Sequence, residues 1–341
     1  MESSNGAMSA TYTETVERPS VLWFDLETDG LKPKVIHCLV TMDADGDIRR
    51  YNHAEEGNLR EGLDALAEAD ILIGHNIIAY DLQVIHTLYP GWSTKACIRD
   101  TLVYSRLAWP HLKDLDYSRE GFPRELIGSH SLKAWGVRLG FEKYNYGESE
   151  DAWVRWSREM EDYCVRDVEV THRLFRECLD QNIPDSALEL EHEIHDICEV
   201  MTHRGIYFNR EAAEKLYARL LSEQDQIGMK LQELFPPKQV QLKTKVKEVP
   251  FNPGSRLQIA DRFRDQGWAP TDFTPDGRPK INEGILSGLA DIYPEAATLN
   301  RYLLIQKRIG QIAEGKNSWL GLCDESNRIH GRVISCGGTI S

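Results

Sequence analysis

Through residue 19 the hydrophobic positions are isolated among Ser, Thr, Glu and Gly, which predicts a flexible tail over 1–19. The apolar pattern starts abruptly at Val21–Thr28 (VLWFDLET), a run of strand length. Apolar residues 35–42 and 48–51 then flank the acidic stretch 43–47, a hairpin turning at Asp45-Gly46. Leu59, Leu63 and Leu66 recur at helical spacing, and Ile71–Gly74 reads as another buried strand. Strand, hairpin, helix and strand in this order predict an α/β fold on a mixed sheet.

Beyond that point the periodicity becomes mainly helical. Ser186 and Glu189 have the spacing of a capping box, and Leu190, Ile194, Ile197 and Met201 form one apolar stripe that ends at Gly205. Asn209 can cap a second long helix with Leu216, Leu220, Ile227, Leu231 and Leu234 on its apolar face, stopped by Pro236-Pro237. Ile183-Pro184 interrupts the helical period, so a boundary is placed near 182–185.

The 341 residues carry 40 Lys plus Arg against 54 Asp plus Glu, a net charge of −14, with 41% hydrophobic and 28% charged residues. That composition excludes collagen-like and wholly disordered classes, and no apolar run reaches the ~18 residues of a membrane helix. The seven cysteines form no CxxC pair, which predicts reduced thiols, no zinc ribbon and an intracellular, cytoplasmic protein. The acidic balance argues against coating nucleic acid with the whole surface, but not against an acidic centre that meets phosphates through metal ions.

Candidate chemistry begins at Asp25 and Glu27. Two apart on a strand, they share one face, while Leu22, Phe24 and Leu26 share the other. Such a pair alone is more often a solvated strand face. Asp81 follows a strand end and opens a helix, where ligands of open α/β sheets gather. Tyr163 and Asp167 share a helix face within 159–176. Hydrolysis of a phosphodiester needs hydroxide at neutral pH and relief of charge on the reacting phosphate. Two divalent ions about 3.5–4 Å apart supply both, and hard ions want carboxylate oxygens. A phenol can orient water without competing as a strong ligand.

These residues lie in segments similar to the three exonuclease motifs of the DEDD superfamily, with tyrosine in the third: Trp23-Phe-Asp-Leu-Glu-Thr28, Gly74-His-Asn-Ile-Ile-Ala-Tyr-Asp81 and Tyr163-Cys-Val-Arg-Asp167. Asp100-Thr-Leu-Val-Tyr-Ser-Arg-Leu107, Gly128-Ser-His-Ser-Leu-Lys-Ala-Trp-Gly136, Arg204-Gly-Ile-Tyr-Phe-Asn-Arg210 and Gln306-Lys-Arg-Ile-Gly310 extend the resemblance. Together they resemble the N-terminal part of a family A DNA polymerase of the phage replicative type. The resemblance implies a ribonuclease H-like 3′→5′ exonuclease domain over 20–184 and a partial polymerase domain, base helices and thumb, over 185–341. It implies proofreading in DNA replication with two Mg²⁺ or Mn²⁺ as cofactors. Asp25 would bridge both ions, Glu27 and Asp167 help hold the water-activating one, and Asp81 support the second through water. Tyr163 would orient the attacking water and Asn76 position the strand.

The implied partners are a single-stranded DNA 3′ end and primer-template duplex. Arg301, Lys307, Arg308 and Lys316 outweigh Glu314 over 301–316, a charge suited to phosphate contacts. Relatives that use host thioredoxin as a clamp carry a long thumb insertion; only 236–250 stand there, so no such clamp is expected. The chain stops before the palm and fingers, so polymerisation is expected to need a separate palm-fingers chain, as in a split polymerase; a truncated chain or an interrupted reading frame is the other explanation. A DNA-binding assembly subunit with weak nuclease activity and a ribonuclease D-like exoribonuclease are the alternatives. Two decoys fall away: Asp43, Asp45 and Asp47 imitate a calcium loop without its glycine, since Ile48 stands there, and Asp116-Tyr-Ser118 reads as loop.

Overall fold

The computed structural model describes residues 18–54, 58–142, 146–147, 151–241 and 246–336. Most of the tail expected over 1–19 therefore lies outside the described residues. The described residues form two compact units, 18–202 with 332–336 and the described part of His203–Gly331.

The first unit is built on a five-stranded mixed sheet of order β3-β2-β1-β4-β5, with β1 Val21–Thr28, β2 Ile36–Asp43, β3 Ile48–Asn52, β4 Ile71–Gly74 and β5 Cys97–Asp100. β2 runs antiparallel to both β1 and β3, whereas β4 and β5 run parallel to β1. The hairpin turns as its sequence predicts. Gly46 takes φ +89°, and the Asp43 carboxylate accepts from the N–H groups of Asp45 and Asp47, so these acids serve a turn. β5 escapes the sequence pattern because it is four residues long with an exposed first residue.

Helices cover both faces of the sheet. On one face α1 Asn58–Glu68 and α2 Asp81–Leu88 join Phe24, Leu26, Leu39, Leu63, Leu66, Ile77 and Ile85 in one core. On the other, α6 Arg158–Leu179 packs on β1 and β2 through Met160, Cys164 and Val168 against Trp23, Cys38, Val40 and Met42. Between them in sequence lie α3 Thr101–Ala108, α4 Leu112–Tyr117 and α5 Leu132–Arg138. Asp116 sits on α4 rather than in a loop. Fully buried, it takes both Arg138 guanidinium donors, at 2.7 and 2.9 Å, and the Gly128 N–H. It is a structural ion pair.

α7 Asp185–Arg204 departs from its expected reading twice. It starts at Asp185 on bonds to the Pro184 carbonyl, so Ser186 lies inside the helix and not at its cap. Its buried residues are Leu188, His192, His195, Cys198 and Glu199, while Leu190, Ile197, Val200 and Met201 of its apolar side are 53–58% exposed. Polar partners explain the inversion. His192 Nε2 accepts from the Asp100 N–H at 2.8 Å, and His195 Nδ1 meets Ser335 Oγ at 3.0 Å. Most of α7 therefore belongs with the first unit, although the sequence breaks at 182–185.

In the second unit, β6 Ile206–Tyr207 precedes α8 Arg210–Leu234, whose Asn209 cap accepts from the Ala212 N–H at 3.0 Å. The strands β7 Lys238–Gln241 and β8 Val246–Val249 lead to α9 Arg256–Asp265, α10 Glu283–Leu289 and α11 Glu295–Ile309. Leu231, Phe235, Phe251, Phe263, Leu286 and Leu299 form their core. Leu234 is 44% exposed, and the side chain after it, Phe235, takes the buried place. One π turn at Gly310–Glu314 follows α11, before α12 Trp319–Leu322 and β9 Arg328–Ile329.

Candidate active site

β4 pairs with β1 only through Trp23, so Asp25 and Glu27 stand on the half of β1 that runs past its neighbour. Gly74 makes this possible. A Cβ there would run into the Ile77 side chain and lie 3.0 Å from the Phe24 carbonyl oxygen, so the chain turns off β4 hard against β1 only without one. Both carboxylates are half-buried, beside a Trp23 that is covered and above a Phe24 and Leu26 that are closed off from water. The register also slips between Glu27 and Thr28, the kind of bulge that re-aims side chains at a site.

α6 brings the third element to this strand. One ligand atom each of Asp25, Glu27 and Cys164 lie within 4.8 Å of one another. The Cys164 thiol donates to Asp25 Oδ2 at 3.4 Å and to the Asp25 carbonyl at 3.3 Å. Burial, with Cys38 and the Asp25 charge beside it, holds this thiol well above its ordinary range, so it stays a donor. Asp167, also buried, follows one turn later on α6. Tyr163 belongs to the same turn as Cys164. Its ring packs against Tyr146 and Trp153, with centroids 5.6 and 6.1 Å away.

Asp81 closes the constellation. First residue of α2 and 3% exposed, it accepts the N–H of Leu26, the residue between Asp25 and Glu27, at 3.2 Å. Burial pushes its carboxyl up to about 7, and the charges of Asp100 and Asp167 push the same way, against the N–H groups of Leu26 and Asp81 itself. A buried carboxyl raised by neighbouring acids marks a place where negative charge gathers. Among the described residues, the side chains close enough together to share one ion are Asp25, Glu27 and Cys164, with both carboxylates supplied by β1.

Asn76 holds the loop between β4 and α2 in the left-handed region at φ +65°, which Asn tolerates better than most residues. Its N–H donates to Asp100 Oδ1 at 2.7 Å, and its side-chain oxygen is buried without a partner among the described residues. The predicted basic residues lie elsewhere, in the second unit. Arg301, Lys307 and Arg308 are exposed on α11, and Lys316 follows the π turn. Arg301 is engaged by Glu223 at 2.6 Å and Arg308 by Gln311 at 2.9 Å.

Four further residues had no role assigned in the sequence reading. Asp100, wholly buried, accepts from the N–H groups of Asn76, Ile78 and Leu102. Its position directly before α3 is an N-cap signal. Thr28 Oγ1 and Tyr80 OH are 2.6 Å apart, tying the end of β1 to the loop. Cys164 carries a signal as well, since it lies three residues before Asp167 on one helix face.

No family model matches the chain. It is 28% identical to the DNA-directed DNA polymerase of Enterobacteria phage T3 and to that of Escherichia phage T7. Each alignment runs over 417 residues and covers 91% of this chain and 59% of the relative. The chain thus spans about three-fifths of the length of the curated relatives it matches. The POL domain of Pol1 from M. smegmatis, solved with DNA primer-template and dNTP, shares the fold at a TM-score of 0.62 and 15% identity, over 92% of this chain and 49% of that one. The chain is related to family A DNA polymerases, as its motifs imply.

Proposed function

We propose that the first unit is a ribonuclease H-like 3′→5′ exonuclease that trims DNA ends in proofreading, within a replicative DNA polymerase. The observation that carries this reading is the bond from the Leu26 N–H to Asp81, which sets the buried acid of α2 against the strand bearing Asp25 and Glu27. Asp25, Glu27 and Asp167 would hold one divalent ion, and Asp25 with Asp81 a second. Bound there, such ions supply hydroxide at neutral pH and offset the charge gathering on the phosphate.

The remaining work belongs to the chain's own side chains. Tyr163, its ring packed against Tyr146 and Trp153, orients the attacking water through its hydroxyl. Cys164 fixes one Asp25 oxygen, and the buried side-chain oxygen of Asn76 meets a donor on the strand. The exposed Lys307, Arg308 and Lys316 serve the duplex in the second unit. Both 417-residue alignments exceed the length of this chain, so the relatives carry stretches it lacks.

The test is digestion of matched DNA and RNA oligomers labelled at the 5′ end, with Mg²⁺ and with chelator. The intact chain should shorten DNA stepwise from its 3′ end with Mg²⁺ and leave it whole with chelator. Asp25→Ala with Glu27→Ala should lower that rate at least ~10³-fold while DNA binding stays measurable. Undiminished digestion by the double variant sinks the site. Preference for RNA points to the exoribonuclease, and binding without digestion to the assembly subunit.

A further inference from the structure

An open cleft of about 440 Å³ lies outside the acidic centre, lined among others by His75, Asn76, Arg106, His130 and Arg332. His75 and Asn76 directly follow β4, and Arg106 stands on α3, which directly follows β5. The cleft therefore opens at the carboxyl edge of the parallel strands, the same edge past which Asp25 and Glu27 project. The loop from His75 to Asp81 joins the two places, with Asn76 at one end and the buried acid at the other.

Its cationic groups lack counterions. Among the described residues neither Arg106 nor Arg332 enters an ion pair, and Arg106 Nη1 is buried without a partner. Burial first, and the Arg332 guanidinium next, hold Arg106 below its ordinary value, so the two cations work against each other across the cleft. The acids whose charge reaches Arg106 are committed elsewhere. Asp100 is saturated by three backbone N–H groups, and Glu199 lies 4.0 Å from His195. The imidazoles are anchored through Nδ1, His75 on Thr101 Oγ1 at 2.8 Å and His130 on Ser105 Oγ at 3.1 Å, which fixes both rings at the rim. A buried guanidinium without an acceptor is costly, and a second one beside it raises the cost unless an anion sits between them.

We propose that this cleft seats one internucleotide phosphate of the single DNA strand entering the acidic centre, with Arg106 and Arg332 as its two cationic ligands. The proposal rests on the exonuclease reading. The guanidinium fork suits a phosphodiester, whose two free oxygens accept paired donors. One residue beyond the cleft's Asn76 the chain heads toward Asp81, so a strand gripped here runs along the carboxyl edge toward the scissile bond.

The test measures binding of a labelled oligothymidylate to the full chain in chelator, where nothing is cleaved. Arg332→Gln, at an exposed position that tolerates change, should weaken binding about tenfold. It should also flatten the slope of log affinity against log salt by about 0.7, one single-strand phosphate. A neutral methylphosphonate walked along the strand should reproduce that loss at one linkage in the unaltered protein and add nothing in Arg332→Gln. Arg106→Gln should behave alike; if it fails to fold, Arg332→Gln decides. Unchanged affinity and slope in Arg332→Gln, or a loss on RNA alone, overturns the proposal. If the unaltered chain binds DNA but never digests it with Mg²⁺, the exonuclease reading fails while these binding measurements still report on the cleft.

Discussion

Asp81 is the residue at which the energetic tension of the acidic centre can be read. The folded chain keeps its carboxyl proton up to about pH 7, whereas the unfolded chain gives it up near the ordinary value of 3.8. Because the folded state binds more protons across that interval, its stability must fall as pH rises from about 4 to 7 in metal-free protein. Each tenfold change in a proton equilibrium is ~1.4 kcal/mol, so the whole effect is on the order of 4 kcal/mol at most. Asp81→Asn should flatten this dependence in chelator, measured by thermal unfolding from pH 4 to 8. Mg²⁺ should stabilise the unaltered chain more at pH 7 than at pH 5; equal stabilisation at both would separate Asp81 from any cation site.

At the scale of elements, the loop between β4 and α2 owes its shape to another strand. Asp100 ends β5 and accepts the N–H groups of Asn76 and Ile78, so one carboxylate clamps the turn that delivers Asn76 and Asp81. Its third acceptance, from Leu102, caps α3. Asp100→Ala leaves three donors unpaired and should cost about 3 kcal/mol in urea unfolding. Digestion should fall with it, because Asp81 depends on the same loop. An unchanged midpoint would mean that water replaces the carboxylate in full. β1 and the hairpin were readable because their alternation is strong, and the Asn209 cap was readable because capping is local. β5 was not, because four residues with an exposed first member carry too little pattern. α7 was misread because its burial is set by partners ninety or more residues away, at Asp100 and Ser335.

At the scale of the whole molecule, the apolar stripe of α7 stands open to solvent. Leu190, Ile197, Val200 and Met201 lie more than half exposed on one helix, the kind of surface that marks an association site. We propose a palm-fingers polymerase chain as the partner, on the polymerase reading. Co-expressed with such a chain, this protein should elute with it as one species in size-exclusion chromatography. Ile197→Asp with Met201→Asp should abolish co-elution while moving the chain's own stability by less than ~0.5 kcal/mol, as expected for exposed positions. If the variant still co-elutes, the stripe is not the contact. Among the described residues no helix is long and apolar enough to cross a membrane.

The amino-acid order alone determined which candidate residues share a face of their element. An acid pair two apart must share a strand face, residues four apart must share a helix face, and both follow from backbone periodicity. It also determined the mixed sheet, since a hairpin and two further apolar runs admit few other arrangements. Only the tertiary structure decided that Asp81 bonds between the members of the pair, that Cys164 reaches Asp25, and that Arg106 faces Arg332. Each of these joins residues 55 or more positions apart, and no local rule fixes such distances. They emerge when the two faces of the sheet are covered and the buried polar groups must find acceptors.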